Sequence, residues 1–295
     1  MLTHIEPTQL RYTIALPEQL ARLVEFTQRA HYRSLQFAST LRHMPASDLC
    51  IVVAWHHAMP VATLIATPIA GPTGWIRGAA MEMVSPAHHF AVINALWQQL
   101  HDFLPGKHWY FTADLYDIWL RDFLVTLGFR VDMHIVVLEC PVRSSEPTAS
   151  PATVQLRPMQ ADDIATVLAI DEHAFTHQWH KSAFEVSDMW QSPGIALVAT
   201  TTEAVIIGYA IAIWHHRANA LHLVRIAVLP AWRRRGVARQ LLAAVIDYAH
   251  SNDADRVTLN TQHTNTAAIA LYQHYGFQHT GERYPVYHRP TEQPS

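Results

Sequence analysis

Residues 220–239 read ALHLVRIAVLPAWRRRGVAR, and the order of residue types in this segment predicts a strand, a turn and a helix. Residues 220–228 are apolar with few interruptions, which is typical of a strand buried in the middle of a sheet. Pro230 ends that strand. Apolar residues then recur at helical spacing from Val237 to His250, so the arginine-glycine segment 233–236 is expected at the start of a helix.

This turn is suited to binding a phosphate group. The first turn of a helix has unpaired N–H groups and a partial positive charge, and anions bind there readily. Gly236 leaves space for an anion to approach the backbone, and Ala238 keeps the next position small. Three arginines before the glycine add bidentate donors. The alternative is a basic patch that caps a surface helix, but arginines at this end of a helix oppose its dipole.

The chain contains this order of elements twice. Three landmarks, Thr8–Arg11, Pro86 and Gly128-Phe129, recur 144 to 148 residues later as Val154–Arg157, Pro230 and Gly276-Phe277. Between the landmarks, each half has a helix-like segment (18–30 and 163–174) and two apolar strands (50–55 and 61–66; 195–200 and 205–214). We therefore predict two domains of one α/β (mixed α+β) fold, each a central twisted mixed sheet flanked by helices. They are expected at residues 1–140 and 154–295, joined by the Pro- and Ser-containing linker 141–153.

The pattern Arg233-x-x-Gly236-x-Ala238 after an apolar strand resembles the pyrophosphate loop of the GCN5-related N-acetyltransferase (GNAT) superfamily. A second motif runs from Asn265 to Tyr272 and is followed by Gly276-Phe277. It is similar to a segment of the ribosomal-protein and other N-terminal acetyltransferases of that superfamily. The resemblance covers residues 154 to about 287. It implies acetyl-CoA, or another acyl-CoA, as co-substrate, with no metal.

The resemblance also implies a place for each part of the cofactor. The pantetheine arm is expected along the strand around residues 226–228, where two central strands separate, and the pyrophosphate on residues 233–239. Asn265 is expected near the arm. The implied cofactor-binding residues are Ile226, Ala227, Val228, Arg233, Arg234, Arg235, Gly236, Val237, Ala238, Arg239, Asn265 and Tyr272.

Two residues are candidates for proton transfer. Tyr272 matches the tyrosine that protonates the departing CoA thiolate in many members, and a phenol suits that task because its reference pKa lies above that of a thiol. His222 lies where related enzymes carry a glutamate or a histidine as general base. A core aromatic and a strand-entry histidine without a catalytic task are the alternatives. Asn260 stands where the most similar subgroup has a catalytic glutamate, and Asp171, Glu172 and His263 are further candidates for the base.

The first half lacks these groups. Aligning Pro86 with Pro230 places His89, Val92 and Asn94 at the positions of Arg233, Gly236 and Ala238. Aligning Gly128 with Gly276 places Leu124 at the position of Tyr272. A β-branched residue blocks the approach of a phosphate, and leucine cannot donate a proton. The first domain is therefore interpreted as a degenerate copy.

Composition narrows the classes of function. The 295-residue chain has a formal net charge of −3, with 50% hydrophobic residues and two cysteines. We expect no nucleic-acid or membrane partner, no disulfide framework and a cytoplasmic location. The 21 histidines do not group as metal ligands. We therefore expect an N-acyltransferase that transfers an acetyl or short acyl group to the primary amine of a small molecule or peptide. The alternative is a non-catalytic acyl-CoA sensor. The oligomeric state is left open.

Overall fold

A computed structural model describes residues 5–34, 44–68, 71–82, 86–112, 117–142 and 154–291. The chain divides into two compact units. Unit 1 comprises Met1–Met133 and Tyr284–Ser295, and unit 2 comprises His134–Arg283.

Unit 1 is a mixed sheet with helices. Its strands are β1 (Arg11–Ile14), β2 (Tyr32–Arg33), β3 (Cys50–His56), β4 (Met59–Pro68), β5 (Thr73–Met81) and β6 (His108–Thr112), and its helices are α1 (Leu20–Arg29), α2 (Pro86–Phe103) and α3 (Ile118–Thr126). The strands follow the order β1-β3-β4-β5-β6, and only β5 and β6 pair in parallel. The largest buried side chains of the unit include Trp97, Trp109, Phe111 and Phe129.

Unit 2 repeats this plan. Its strands are β7 (Arg130–Pro141, in this unit from His134), β8 (Gln155–Pro158), β9 (Gly194–Thr200), β10 (Ile206–His215), β11 (Ala220–Val228), β12 (Arg256–Gln262) and β13 (Gln278–Arg289, in this unit up to Arg283), and its helices are α4 (Ile164–Ala174), α5 (Ala183–Gln191), α6 (Val237–Ser251) and α7 (Thr266–His274). The order is β7-β12-β11-β10-β9-β8, with β11 and β12 parallel. Two buried clusters cover the two faces of this sheet, one beneath α6 and the other beneath α4 and α5.

The predicted fold class and elements are confirmed. The buried strand predicted at 220–228 is β11, and the helix predicted from Val237 is α6. The helix-like segments 18–30 and 163–174 contain α1 and α4, and the four apolar strands are β3, β4, β9 and β10. Each half is a mixed α/β unit. The prediction of its elements succeeded because the period of the apolar residues was strong enough to define them.

The units have different bounds from the sequence-based domains. Residues Ile135–Pro141 pair with Gln262–Arg256 of unit 2, and Leu138 is fully buried in the core of that unit. Pro141, the expected first linker residue, is the last residue of β7 and pairs with Arg256. Residues Val286–Arg289 pair with β6 of unit 1. These pairings join residues far apart in the sequence, so the composition of the connecting segment does not show them. Residues 143–153 of the expected linker lie outside the described part of the chain.

One alignment between the halves is wrong and another is confirmed. Pro86 is the first residue of α2, whereas Pro230 begins a 3-10 turn well before α6, so Val92 lies in the helix interior and does not match Gly236. His89 and Asn94 likewise lie within α2. By contrast, Gly128 and Gly276 both have positive φ, and the N–H of the following phenylalanine bonds to Leu124 O and Tyr272 O respectively, each at 3.1 Å. Leu124 therefore occupies the position of Tyr272.

Candidate active site

The central strands of unit 2 separate halfway along their length. β11 and β12 pair only from Ala220 with Arg256 to Leu223 with Leu259. Beyond Leu223, residues 225–228 of β11 pair with β10 alone, and Val224 is a bulge residue that has no partner on β10. A bulge bends a strand and increases its twist. The edge of β11 that faces away from β10 is therefore open at residues 224–228, and an extended ligand can pair with it.

The open edge leads directly into the arginine-glycine loop. A 3-10 turn, Pro230–Trp232, follows β11, and Gly236 is the N-cap of α6 with φ +83°. A Cβ atom built on Gly236 would meet nothing within 4 Å, so this glycine is needed for its backbone conformation and its surroundings are open. The first bond of the helix runs from Gln240 N to Gly236 O at 3.0 Å. The N–H groups of Val237–Arg239 consequently have no acceptor among the described residues.

Three arginines of this segment carry a positive charge that no described carboxylate neutralises. Arg233, Arg234 and Arg239 are exposed and form no ion pair within the described residues. Arg233 Nε donates to Val228 O at 3.3 Å and ties the loop to the end of β11. The guanidinium of Arg235 lies 4.9 Å from the centre of the Trp232 ring. Open backbone donors and exposed arginines together have the chemistry that suits a phosphate group.

The second motif lies beside this loop. Asn265 is the N-cap of α7: its Oδ1 accepts from Ala268 N at 3.3 Å, and its Nδ2 donates to Thr261 Oγ1 at 3.4 Å. Val228, Val237 and Tyr272 belong to one buried cluster. Burial raises the pKa of Tyr272 to about 12, so the phenol keeps its proton at neutral pH. Its hydroxyl has no hydrogen bond within the described residues.

His222 lies on the paired part of β11, one residue before the strands separate. Its Nδ1 is 2.8 Å from Thr258 Oγ1, and its ring is stacked on that of His215 at 5.2 Å. Burial, and secondly the charge of His215, lower the pKa of His222 to about 4. The imidazole is therefore neutral at pH 7, which a base requires, but it is a weak base.

The sequence did not predict a buried ionic cluster next to the open edge. Arg225 donates to Asp171 through Nε at 2.8 Å and Nη2 at 2.7 Å, and the Tyr209 hydroxyl bonds to the same carboxylate. Asp171 is 1% exposed. This pairing engages both oxygens of Asp171, which therefore offers no free base. The available signal was an arginine inside an apolar strand and an aspartate inside an apolar helix, each of which needs a partner when it is buried.

The remaining candidates for the general base, Glu172 and His263, lie at the surface or contact the backbone. Glu172 is exposed. His263 is linked through Nδ1 to the backbone of His134 at 3.2 Å. Within the described ranges no three histidine, cysteine or acidic side chains group as metal ligands. None of the helices described here is both long and apolar enough to cross a lipid bilayer.

Parallel strands that separate and lead to a glycine loop at a helix start match the arrangement that the sequence resemblance implied. The profile of the Acetyltransferase (GNAT) family matches residues 164–277, within unit 2. The C-terminal half of the chain therefore contains a domain of the GNAT acetyltransferase family.

Relatives and solved structures agree with this assignment. A Bacillus subtilis protein whose name proposes it as a ribosomal protein bS18-alanine N-acetyltransferase is 26% identical over 132 residues, which are 45% of this chain and 85% of that protein. Mycothiol acetyltransferase of Renibacterium salmoninarum is 30% identical over 146 residues, 44% of this chain and 43% of the relative, so the match spans less than half of that enzyme. A tandem GNAT protein from the clavulanic acid biosynthesis pathway has the same fold over 97% of this chain and 100% of its own, with a TM-score of 0.61 and 14% identity.

Proposed function

We propose that unit 2 transfers an acetyl or short acyl group from acyl-CoA to a primary amine. The observation that carries this proposal is the open edge of β11 at residues 224–228, which runs into the arginine-glycine loop and the uncapped first turn of α6. In the proposal, the pantetheine arm pairs with Ile226–Val228 and the pyrophosphate binds Arg233–Arg239. Asn265 orders the start of α7 beside them.

The acceptor nitrogen attacks the thioester carbon directly in a ternary complex. A new C–N bond forms, the C–S bond breaks and CoA leaves as a thiolate. Tyr272 gives its phenolic proton to that thiolate, and the nitrogen loses its own proton to a base or to solvent. No acyl-enzyme is required. Burial raises the pKa of Cys50 to about 11 and that of Cys140 above its usual value, so neither thiol is readily ionised to a nucleophile that could form one. Both thiols are free.

His222 is the proposed base, directly or through water. Its neutral form predominates throughout the physiological range, and its Nδ1 contact with Thr258 leaves Nε2 available. Asn260 lies on β12 paired with Val137, and its amide cannot accept a proton at neutral pH. The acceptor is proposed only as the primary amine of a small molecule or peptide, because loops that vary within folds form such pockets.

The alternative is an acyl-CoA sensor without turnover. Two observations favour it: the weak basicity of His222 and the amide at position 260. Release of CoA thiol from acetyl-CoA, measured over a panel of amines, tests both proposals. With the preferred amine, Tyr272→Phe should lower kcat at least tenfold and leave the affinity for CoA within about twofold. Tyr248→Phe, at a partly buried tyrosine of α6, is the control and should leave both unchanged.

The outcomes separate the two proposals. Tight acetyl-CoA binding without turnover of any amine supports the sensor and contradicts the transferase. Turnover by the wild-type protein that Tyr272→Phe leaves unchanged supports the transferase and removes Tyr272 from its mechanism.

A further inference from the structure

Unit 1 retains the strand separation although it lacks the arginine-glycine loop. β5 and β6 pair only from Thr73 with His108 to Ile76 with Phe111. The register of β4 and β5 shifts at Arg77, as that of β10 and β11 shifts at Val224. Aligning the two bulges matches the strands residue by residue. The counterparts of Arg225, Ile226, Ala227 and Val228 are therefore Gly78, Ala79, Ala80 and Met81.

The chain itself covers the edge of β5 that corresponds to the open edge of β11. In β2, Tyr32 pairs with Met81 and Arg33 with Ala80 in antiparallel register. Ser34 N donates to Ala79 O at 2.9 Å, and Ala79 N donates to Ser34 Oγ at 3.1 Å. Because β4 pairs with the other edge of β5, residues 32–34 lie on the edge that β6 has left.

Tyr32 also fills the space between two helix starts. Its ring is 5.0 Å from the ring of His89, in the first turn of α2, and 5.7 Å from the ring of Trp119, in the first turn of α3. By the alignment of Gly128 with Gly276, Trp119 corresponds to Ala267 in α7. In unit 1, Trp119 thus stands where unit 2 has the small residue Ala267, and Tyr32 packs against Trp119 and His89.

The two units carry different residues at one position of this strand, which is Arg225 in unit 2 and Gly78 in unit 1. In unit 2 the segment after α4 forms the 3-10 turn His177–Trp179, and Arg225 Nη2 donates to Trp179 O. The ion pair with Asp171 fixes this arginine, and its guanidinium lies 3.6 Å from the centre of the Phe175 ring. Arg225 therefore bonds to this segment while it is in the turn conformation, and the segment does not pair with β11. Unit 1 has Gly78 at this position, so the segment after α1 is free to pair with β5.

We infer that residues Tyr32–Ser34 take, in unit 1, the place that the acyl-CoA arm takes in unit 2. The protein then binds one acyl-CoA per chain, and unit 1 is a cleft closed by its own backbone. The unit 2 part of this inference rests on the proposed function. The unit 1 part rests only on the contacts of β2.

Hydrogen exchange with and without CoA, followed by mass spectrometry on the full chain, tests the inference. Without CoA, amides of residues 79–81 should exchange at least tenfold more slowly than those of 226–228. Saturating CoA should slow exchange at 226–228 and leave 79–81 unchanged, and calorimetry should give one CoA per chain. Ser34→Pro removes both bonds to Ala79 and should speed exchange at 79–81 without changing CoA binding.

Two results overturn the inference: a second CoA per chain with slowed exchange at 79–81, or equally fast exchange at 79–81 and 226–228 before CoA is added. The second result is read without cofactor, so it remains decisive if Ser34→Pro does not fold. Absence of any CoA binding instead contradicts the proposed function, and the exchange at 79–81 still decides whether β2 closes the cleft.

Discussion

Burial and a stacked neighbour both act on His222, and they make stability depend on pH. Its pKa is about 4 in the folded protein, against 6.5 for an unperturbed histidine. As the pH falls below 6.5, His222 becomes protonated in the unfolded chain but stays neutral in the folded protein. The stabilisation is therefore complete above pH 6.5 and is lost as the pH falls to 4, by about 3 kcal/mol.

We expect His222→Asn to reduce this pH dependence, since an amide can still bond to Thr258 and does not titrate. Urea unfolding between pH 4 and 8 measures it. The control is His279→Asn, at an exposed histidine of β13, which should keep the wild-type slope. If the free energy of unfolding depends on pH with the same slope in wild type and His222→Asn, this prediction is wrong. That result would also contradict the burial of His222 in the structure.

The conformation of the arginine-glycine loop depends on Gly236. Its φ of +83° is unfavourable for any side chain and most unfavourable for a β-branched one. Gly236→Val should distort the loop and raise the Kd for CoA at least tenfold, measured by calorimetry. Gly281→Val is a matched control, because Gly281 has φ +91° and open space around it but lies on β13. Equal effects of the two substitutions on CoA affinity would contradict the assignment of the loop.

The loop was predictable because its signals are local. An apolar strand, a glycine and a helical period lie within residues 220–250, and each has a direct conformational meaning. The alignment of Pro86 with Pro230 failed because the connections differ in length: residues 82–85 join β5 to α2, whereas residues 229–236 join β11 to α6. The role of Arg225 was not predictable either, since its partner Asp171 is distant in sequence and only the folded chain brings them together.

The division of the chain into units 1 and 2 follows the pairing of its strands. Unit 1 includes the chain's last strand residues. Unit 2 includes His134–Cys140, which the sequence placed in the first domain, and Pro141, which it placed in the linker. The repeat gave the correct number of units and the correct type of fold. It could not give the bounds, because each unit takes a strand segment from beyond the sequence-based limit, and pairing between distant segments has no local pattern.

A leucine from the first half of the sequence should therefore control the stability of unit 2. Leu138 is fully buried among residues of unit 2, and Leu138→Ala should destabilise that unit by about 3 kcal/mol. Leu64→Ala is the matched control, because Leu64 is equally buried on β4 in the core of unit 1. In thermal unfolding with and without CoA, Leu138→Ala should lower the transition that CoA stabilises, and Leu64→Ala should leave it in place. The reverse result would assign Leu138 to the N-terminal domain, as the bounds 1–140 require.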